Sequence, residues 1–169
     1  DIHTVYVYNH SSRDLTDYLG RLEKAIDKEG VKVVQCKAVE ELVRNSDIIC
    51  TTTPSTTPVL PDDKELLRGK CIIAIGSYMP EMREIPDAVL DLVDNVYIEL
   101  PYACEESGDL SQPLTSGKLT KDRVKLMHEY LVSGEKEIKE GQTTYFKSVG
   151  MGLFDLLSGW TAWAPFTFI

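Results

Sequence analysis

Short apolar segments alternate with helical patterns along this chain, and that alternation constrains the fold more than any other feature. Strands are predicted where β-branched and aromatic residues cluster, at residues 5–8, 31–34, 48–51, 71–75, 96–100 and 143–146. Several of these segments are wholly apolar, as strands are when helices cover both faces of a parallel sheet. The pattern therefore predicts an α/β fold with a mainly parallel sheet.

Helices are predicted between the strands, at residues 15–26, 39–43, 85–93, 119–132 and 148–157. The first is the clearest, because Leu15, Leu19 and Leu22 recur at helical spacing. Ser12 is suited to cap its start, and Gly30 to end it.

The composition is that of a folded domain, with 169 residues, 43% hydrophobic, 27% charged and a formal net charge of -9. An acidic chain is not attracted to nucleic acid or to anionic membranes, because phosphate binding needs a positive field. No apolar run approaches the ~18–20 residues that span a bilayer. We therefore predict neither a nucleic-acid nor a membrane partner, although the charge does not exclude a local pocket for one phosphate.

The cysteines are scattered and form no C-x-x-C pair: Cys36, Cys50, Cys71 and Cys104. They are predicted to be free thiols, packed as small hydrophobes in a reducing compartment, which favours a cytoplasmic location. The three histidines lie far apart in sequence, so no metal site is predicted.

Ligands bind beyond the carboxyl ends of the strands in doubly wound parallel sheets, which directs attention to the loops that follow them. The loop after the first strand contains Asn9, His10, Ser11, Ser12 and Arg13. It has no carboxylate to repel a 2′-phosphate, and its hydroxyl, amide and guanidinium groups are suited to bind one. A plain helix-capping turn explains these residues equally well.

Residues 51–58 form a second candidate loop, rich in threonine and containing two prolines. Hydroxyls and backbone N–H groups are the donors that ribose and pyrophosphate oxygens need, although such a loop is also ordinary. Gly76 follows the next strand, where it would let a ring or a ribose approach the backbone, or merely permit a turn.

No nucleophile–base pair is evident, so no catalytic residue is assigned. The acidic residues Glu105, Glu106 and Asp109 are predicted to lie on a solvated helix face rather than to form an acid–base pair.

Three blocks, taken in order and spacing, resemble the ornithine cyclodeaminase/mu-crystallin family: residues 47–55, residues 74–84 and residues 146–156. The resemblance implies a Rossmann-like NAD(P)-binding domain attached to a separate substrate and dimerisation domain. It also implies that Thr52, Thr53, Pro54 and Ser55 face the ribose and phosphates of the cofactor, while Gly76, Ser77 and Val149 approach its nicotinamide. Residues 9–13 resemble the NADP-preferring members, so NADP(H) is favoured over NAD(H).

The chain departs from the family in three places. The strand and the Gly-rich phosphate loop that open the family's domain are absent, since the chain starts at Asp1 almost inside a strand. Tyr78 replaces an acidic residue of the cyclodeaminases, and residues 159–169 do not resemble the family's returning helix. We therefore expect a partial NAD(P)-binding domain at residues 1–158, followed by an aromatic tail.

The absent strand would lie at the centre of a sheet of order 3-2-1-4-5-6. Its loss predicts that the strands at residues 5–8 and 48–51 either close on each other or have the gap filled by a second copy or by the tail.

The resemblance favours the nucleotide-binding part of an NAD(P)H-dependent oxidoreductase that acts on an imine or amino acid, of the ketimine reductase or amino-acid dehydrogenase type. Substrate-binding and catalytic residues would lie in the other domain, which would also form a homodimer, and this chain would be inactive alone. Two alternatives stay open: a lyase of the ornithine cyclodeaminase type that uses NAD, and a non-catalytic crystallin-like protein that binds NADPH or another small ligand.

Overall fold

The computed structural model describes residues 2–11, 13–26, 30–134 and 138–163. Its strands are β1 (Thr4–Val7), β2 (Lys32–Gln35), β3 (Ile48–Thr51), β4 (Cys71–Ala74), β5 (Val96–Ile98), β6 (Val124–Leu126) and β7 (Thr144–Lys147). Its α-helices are α1 (Thr16–Ile26), α2 (Val39–Asn45), α3 (Lys64–Leu67), α4 (Asp87–Leu92), α5 (Ala103–Glu106), α6 (Gly108–Ser116), α7 (Met127–Ser133) and α8 (Gly152–Trp163).

The strands form two parallel sheets, which confirms the predicted α/β fold. One sheet pairs β1 with β2, and the other has five strands in the order β3-β4-β7-β5-β6. The last strand along the chain, β7, therefore lies between β4 and β5. In the simple order 3-2-1-4-5-6, the last strand lies at an edge of the sheet instead. Lys147 at the end of β7 is in register with Ala74 of β4 and Ile98 of β5, so the loops after these strands leave the sheet side by side.

The strands β1 and β3 do not close on each other, so that expectation is wrong. Among the described strands, β1 is bonded to β2 and β3 to β4. The other expectation, a gap filled by a second copy or by residues 159–169, stays a prediction. Within that segment, residues 159–163 continue α8 without a break, and residues 164–169 lie outside the described part.

The core lies on one face of the five-stranded sheet. Ile49 of β3 is 2% exposed, whereas its neighbour Ile48, on the opposite face, is 61% exposed. Helices α2, α3, α4 and α6 cover the first face with buried apolar residues: Val43, Leu67, Val89 and Leu110. On the second face, Tyr130 of α7 packs against Tyr97 with ring centroids 5.1 Å apart. The prediction of strands buried on both faces is therefore wrong for β3.

The four cysteines are free, as predicted, but only part of the packing prediction holds. Cys36 is buried, whereas Cys50 is exposed because it points from β3 toward the open face.

The prediction of one helix over residues 119–132 is also wrong. A 3₁₀ turn at Lys121–Arg123 and the strand β6 precede α7. Val124 and Leu126 are half-buried around an exposed Lys125, which is the alternation of a strand. The Arg123 guanidinium donates to the carbonyls of Leu90 and Val93, at 2.7 and 2.6 Å, which fixes the chain beside the end of α4.

Helix α1 begins at Thr16, next to an aspartate. The Asp14 carboxylate accepts from the Thr16 N–H at 2.9 Å and from the Thr16 hydroxyl at 2.6 Å, and these bonds lower the pKa of Asp14. Ser12, predicted as the capping residue, lies outside the described residues. None of the helices that the structure describes is long and apolar enough to cross a membrane.

Candidate functional site

Loops from four strands meet at the carboxyl edge of the five-stranded sheet. Those after β3 and β4 run side by side, because Arg83 N–H donates to the Ser55 carbonyl and Val59 N–H to the Glu84 carbonyl, both at 2.8 Å. The loops after β4 and β7 also begin next to each other at this edge, since the Ser148 N–H donates to the Ala74 carbonyl at 3.0 Å.

A fully buried carboxylate, Glu84, connects the first two loops. Its Oε1 accepts from the Thr53 N–H at 2.5 Å and from the Thr53 hydroxyl at 2.8 Å. Its Oε2 accepts from the Gly76 N–H at 2.8 Å and from the Thr51 hydroxyl at 2.9 Å. One side chain therefore sets the position of two loops that lie far apart in sequence.

Gly76 is required for the close approach of these two loops. A Cβ at this position would lie 2.2 Å from both the N and the O of Thr53, and 2.6 Å from Glu84 Oε1. The contact is one of backbone against backbone. The structure thus adds a reason for this glycine beyond the approach of a ligand and the turn that the sequence suggested.

A second glycine contact holds the far side of the same loop. A Cβ at Gly108 would lie 2.1 Å from the Met82 carbonyl and 2.4 Å from the Pro80 carbonyl. Gly108 N–H also donates to the Met79 carbonyl at 3.0 Å. Helix α6 therefore begins in direct contact with the loop after β4.

Ser77 is fully buried, and its hydroxyl is already engaged. The Oγ donates to the Met82 carbonyl at 2.8 Å and lies 2.9 Å from Ser107 Oγ. Any contact of Ser77 with a ligand would consequently use its backbone.

Asp109 is buried, so the prediction of a solvated face is wrong for this residue, whereas Glu105 is exposed as predicted. Asp109 Oδ1 accepts from the N–H groups of Glu84 and Ile85, at 2.7 and 2.9 Å. Burial raises the pKa of Asp109, against the lowering effect of those hydrogen bonds and of Lys147. The carboxylate therefore fixes the end of the loop that carries Glu84.

The Lys147 ammonium lies close to Asp109, with its Nζ 3.6 Å from Asp109 Oδ2. Its side chain is 0% exposed, and burial lowers the pKa of Lys147. Tyr145 projects from the same face of β7, and burial raises the pKa of its hydroxyl well above the ordinary value.

Glu99 organises the turn after β7 in the same manner. Its Oε1 accepts from the N–H groups of Val149 and Gly150, at 2.6 and 2.9 Å, and from the Ser148 hydroxyl at 2.9 Å. Gly150 has φ +87°, a conformation that favours glycine. This places Val149, half-buried, at the same edge as Gly76.

The loop after β1 is organised differently, by short-range bonds. Asn9 Oδ1 accepts from the Ser11 N–H at 3.1 Å, and Ser11 Oγ accepts from the Arg13 N–H at 3.4 Å. The side chains of Asn9, His10, Ser11 and Arg13 are exposed. These bonds suit a capping turn and leave polar groups accessible to a phosphate, so both interpretations stand.

The loop after β3 has an outer and an inner side. Thr52 and Pro54 are exposed, whereas Thr53 is half-buried and bonded to Glu84. The Ser55 hydroxyl donates to the Thr57 carbonyl at 2.6 Å. The exposed hydroxyls of this loop are thus those of Thr52, Thr56 and Thr57.

A comparison with known protein families decides the assignment. The model of the ornithine cyclodeaminase/mu-crystallin family matches residues 1–163. The chain belongs to this family.

The chain matches part of the length of individual members of the family. It is 32% identical over 160 residues to a delta(1)-pyrroline-2-carboxylate reductase of Bacillus cereus, covering 93% of this chain and 48% of that protein. It is 34% identical over 123 residues to the ketimine reductase mu-crystallin of Rattus norvegicus, covering 73% and 37%. The chain spans about half the length of the curated relatives it matches.

Solved structures agree on the fold. A Thermococcus litoralis delta(1)-pyrroline-2-carboxylate reductase, in complex with NADH and L-proline, superimposes with a TM-score of 0.82 at 20% identity, covering 96% of this chain and 50% of that one. A probable ornithine cyclodeaminase from Bordetella pertussis gives a TM-score of 0.74 at 28% identity, covering 93% and 50%. The Rossmann-like architecture implied by the resemblance is confirmed.

Sequence reasoning missed the buried charges of this family member. Glu84 was recognised only as part of a family block, and Asp109 was assigned to the surface, while Glu99 and Lys147 were not singled out. One local signal was present, since a lysine that ends an apolar parallel strand has no nearby solvent and needs an anion. Among the described residues, no group of three or more His, Cys, Asp and Glu side chains is arranged to hold a metal ion.

Proposed function

We propose that this chain is the nucleotide-binding part of an NAD(P)H-dependent reductase that acts on a small imine or amino acid. The observation that carries the proposal is the carboxyl edge itself, where Glu84 fixes the loops after β3 and β4 beside each other. Reductases of pyrroline carboxylate and of ketimines among its relatives support the class of reaction.

The residues at this edge suit a dinucleotide. Thr52, Thr53, Pro54 and Ser55 border the place proposed for the ribose and phosphates. The exposed Thr52 hydroxyl is a donor of the kind that their oxygens accept from, whereas both donors of Thr53 are held by Glu84 and proline contributes only rigidity. Gly76, Ser77 and Val149 border the place proposed for the nicotinamide ring. When bound, the cofactor supplies the hydride, and the chain's own residues orient the ring and exclude water from one side of it.

We further propose a preference for NADP(H) over NAD(H). In a binding loop selective for NAD, a carboxylate usually follows the strand that corresponds to β1 in this chain, and residues 9–13 have none. The nearest carboxylate, Asp14, is bonded to Thr16 at the start of α1. The exposed Arg13 is the group best suited to pair with a 2′-phosphate.

Three properties of the whole protein belong to the same proposal. The groups that bind the substrate carboxylate and move protons lie outside this chain, so the chain is inactive alone. A homodimer forms through the substrate domain. The four free cysteines favour a cytoplasmic location.

Cofactor binding is the first test. The full-length protein that carries this sequence is titrated with NADPH and with NADH while the nicotinamide fluorescence is followed. We expect both to bind and NADPH to bind more tightly. Tighter binding of NADH would refute the proposed preference, and binding of neither would refute the proposed nucleotide site.

Catalysis is tested on the full-length protein that carries this sequence. Consumption of NADPH with Δ1-pyrroline-2-carboxylate is the expected result. Ammonia release from ornithine without net change in NADH would instead establish the lyase, against which Tyr78 argues because a phenol replaces the carboxylate. Tight NADPH binding without turnover of any cyclic imine or 2-oxo acid with amine would favour the non-catalytic alternative.

A further inference from the structure

A single ammonium group lies among three buried carboxylates at the carboxyl edge. Glu84, Glu99 and Asp109 are each at most 6% exposed, and Lys147 is the one cation among the buried residues that the structure describes. The groups that act on Lys147 come from three other segments: Asp109 from α6, Glu84 from the loop after β4 and Glu99 from the end of β5. Tyr145, from β7 itself, lies in the field of Asp109 and Glu84.

All three carboxylates perform the same structural task. Each accepts hydrogen bonds from two backbone N–H groups in the loops of this edge. The donors are Thr53 and Gly76 for Glu84, Glu84 and Ile85 for Asp109, and Val149 and Gly150 for Glu99. Such bonds are strong because the acceptor is charged, and they weaken if the acceptor takes up a proton. The geometry of the loops therefore depends on buried carboxylates that keep these hydrogen bonds where water is excluded.

Like charges at short range in a poorly solvated region oppose one another's ionisation. The Lys147 ammonium favours the ionised form of Asp109, against the effects of burial and of the Glu84 charge, and the distance between the two groups supports this pairing. Lys147 Nζ lies 3.6 Å from Asp109 Oδ2, and neither atom has a hydrogen-bond partner, so the pair interacts through charge.

Lys147 has room for this position because its neighbour in register on β4 is Ala74, which is small and fully buried. The contacts then continue outward. Asp109 holds the Glu84 N–H, and the Glu84 side chain holds Thr53 and Gly76. A charge inside the sheet is thus connected to both loops through two carboxylates, Asp109 and then Glu84.

We propose that Lys147 is a positioning residue that neutralises Asp109 and so keeps the loops at residues 52–55 and 76–85 in the arrangement that receives the nicotinamide. Its effect on loop order is independent of any ligand. Its effect on hydride transfer rests on the proposed function.

Hydrogen exchange tests the first effect without a cofactor. In Lys147→Met, the amides of Thr53, Gly76, Glu84 and Ile85 should exchange at least about tenfold faster, because removing one partner leaves a buried charge uncompensated. Asp109→Asn added to that variant keeps an acceptor for the Glu84 and Ile85 amides and removes the charge. The double variant should regain most of the protection.

The matched control is Lys125→Met, an exposed lysine on a strand of the same sheet, which should change none of these amides. Unchanged exchange in Lys147→Met overturns the proposal, as does equal loss of protection in the single and double variants. If Lys147→Met does not fold, folding of the double variant supports the proposal, and failure of both to fold overturns it.

A titration separates charge from packing. The carboxyl carbon resonance of Asp109, followed by NMR, should titrate at higher pH in Lys147→Met than in the unaltered chain, because a neighbouring positive charge is gone. A side chain that merely fills space would leave this midpoint where it is.

The catalytic consequence is measured on the full-length protein. We expect kcat of Lys147→Met to fall about tenfold with KM changed less than about twofold, since misplaced loops cost orientation more than binding. Loss of loop protection without loss of kcat would remove the link to the nicotinamide and leave the charge pairing intact. Absence of NAD(P)H binding by the unaltered protein would refute the proposed function and leave the exchange result standing.

Discussion

The loops at the carboxyl edge of the five-stranded sheet and the loop after β1 contain similar polar residues, yet they are held in opposite ways. Thr53 and Gly76 are bonded to a buried carboxylate that lies 31 and 8 residues away along the chain. In the loop after β1, the bonds of Asn9 and Ser11 span two residues each, and the side chains are exposed.

Under the proposed function, this difference corresponds to two demands of a dinucleotide site. Hydride transfer needs the ring within a narrow range of positions, so the groups beside it must be ordered before the ligand arrives. A phosphate carries enough charge to organise flexible donors as it binds, so local bonds suffice there. The comparison predicts that substitutions at the first region change stability and that those at the second change affinity alone.

The largest effect is expected for Gly76→Ala. Its Cβ would collide with two backbone atoms of Thr53, which have no freedom to withdraw. The free energy of unfolding should fall by about 3 kcal/mol or more, measured by urea denaturation. The control is Gly20→Ala in α1, where nothing lies within 4 Å of the added Cβ and helix propensity should raise stability slightly. Equal stability of the two variants would contradict the contact at Gly76.

Glu84→Gln should come next, at about 2–3 kcal/mol. A glutamine amide turns an N–H₂ group toward either the Thr53 or the Gly76 N–H, so the hydrogen bond of that backbone donor is lost in a buried place. Glu81→Gln, in the same loop but exposed, should change the free energy of unfolding by less than about 0.5 kcal/mol. A loss as small for Glu84 as for Glu81 would show that the carboxylate does not hold the loops.

Arg13→Ala examines the other side of the comparison. We expect no change in Tm, about tenfold weaker binding of NADPH and unchanged binding of NADH, because only the 2′-phosphate distinguishes the two. The control is Arg44→Ala, an exposed arginine on α2. Parallel loss of both cofactors would place Arg13 away from the 2′-phosphate, and a lower Tm would show that this loop also serves the fold.

The smallest effect is expected at Asp91, remote from both regions. Lys64 and Lys118 lie 2.7 and 2.6 Å from its carboxylate, and hydrogen bonds from Lys118 and then Lys64 lower the pKa of Asp91 below 3.8. A pKa lowered by folding stabilises the fold above the unfolded value and loses that contribution as pH falls through the folded value. Asp91→Asn should therefore lower Tm by about 2 °C or less at neutral pH, with the difference shrinking below pH 3.8. A difference that grows in acid would reverse the sign assigned here.

Most strands and helices could be predicted from the sequence, because the periodicity of these elements is a local property. The strand at Ile48–Thr51 was predicted with its observed ends. The helix predicted between a cap at Ser12 and a stop at Gly30 corresponds to α1, which begins at Thr16. The prediction of one helix over residues 119–132 is wrong because the hydrogen bonds of Arg123 to the end of α4 interrupt a pattern that is otherwise helical. No local pattern reports a contact 33 residues away.

The burial of the charged residues at the site could not be predicted from the sequence for a related reason. Glu105 and Asp109 belong to one acidic stretch, and only the folded chain separates the exposed residue from the buried one. The polarity of a side chain predicts solvent exposure on average, while a buried carboxylate needs partners that the sequence does not place beside it. The sequence indicates a role for Gly76, but it does not show that the Thr53 backbone excludes any side chain at this position.

The two glycine contacts of the loop after β4 also bear on how this segment can vary. Gly76 fixes its first residue against Thr53, and Gly108 fixes Pro80 and Met82 against α6. The stretch between them is thus tethered at both ends by main chain, so its length is set while exposed side chains such as Tyr78 remain free to differ. Insertions or deletions here would have to be matched by a shift of α6, and diversification of this loop should proceed by substitution at constant length.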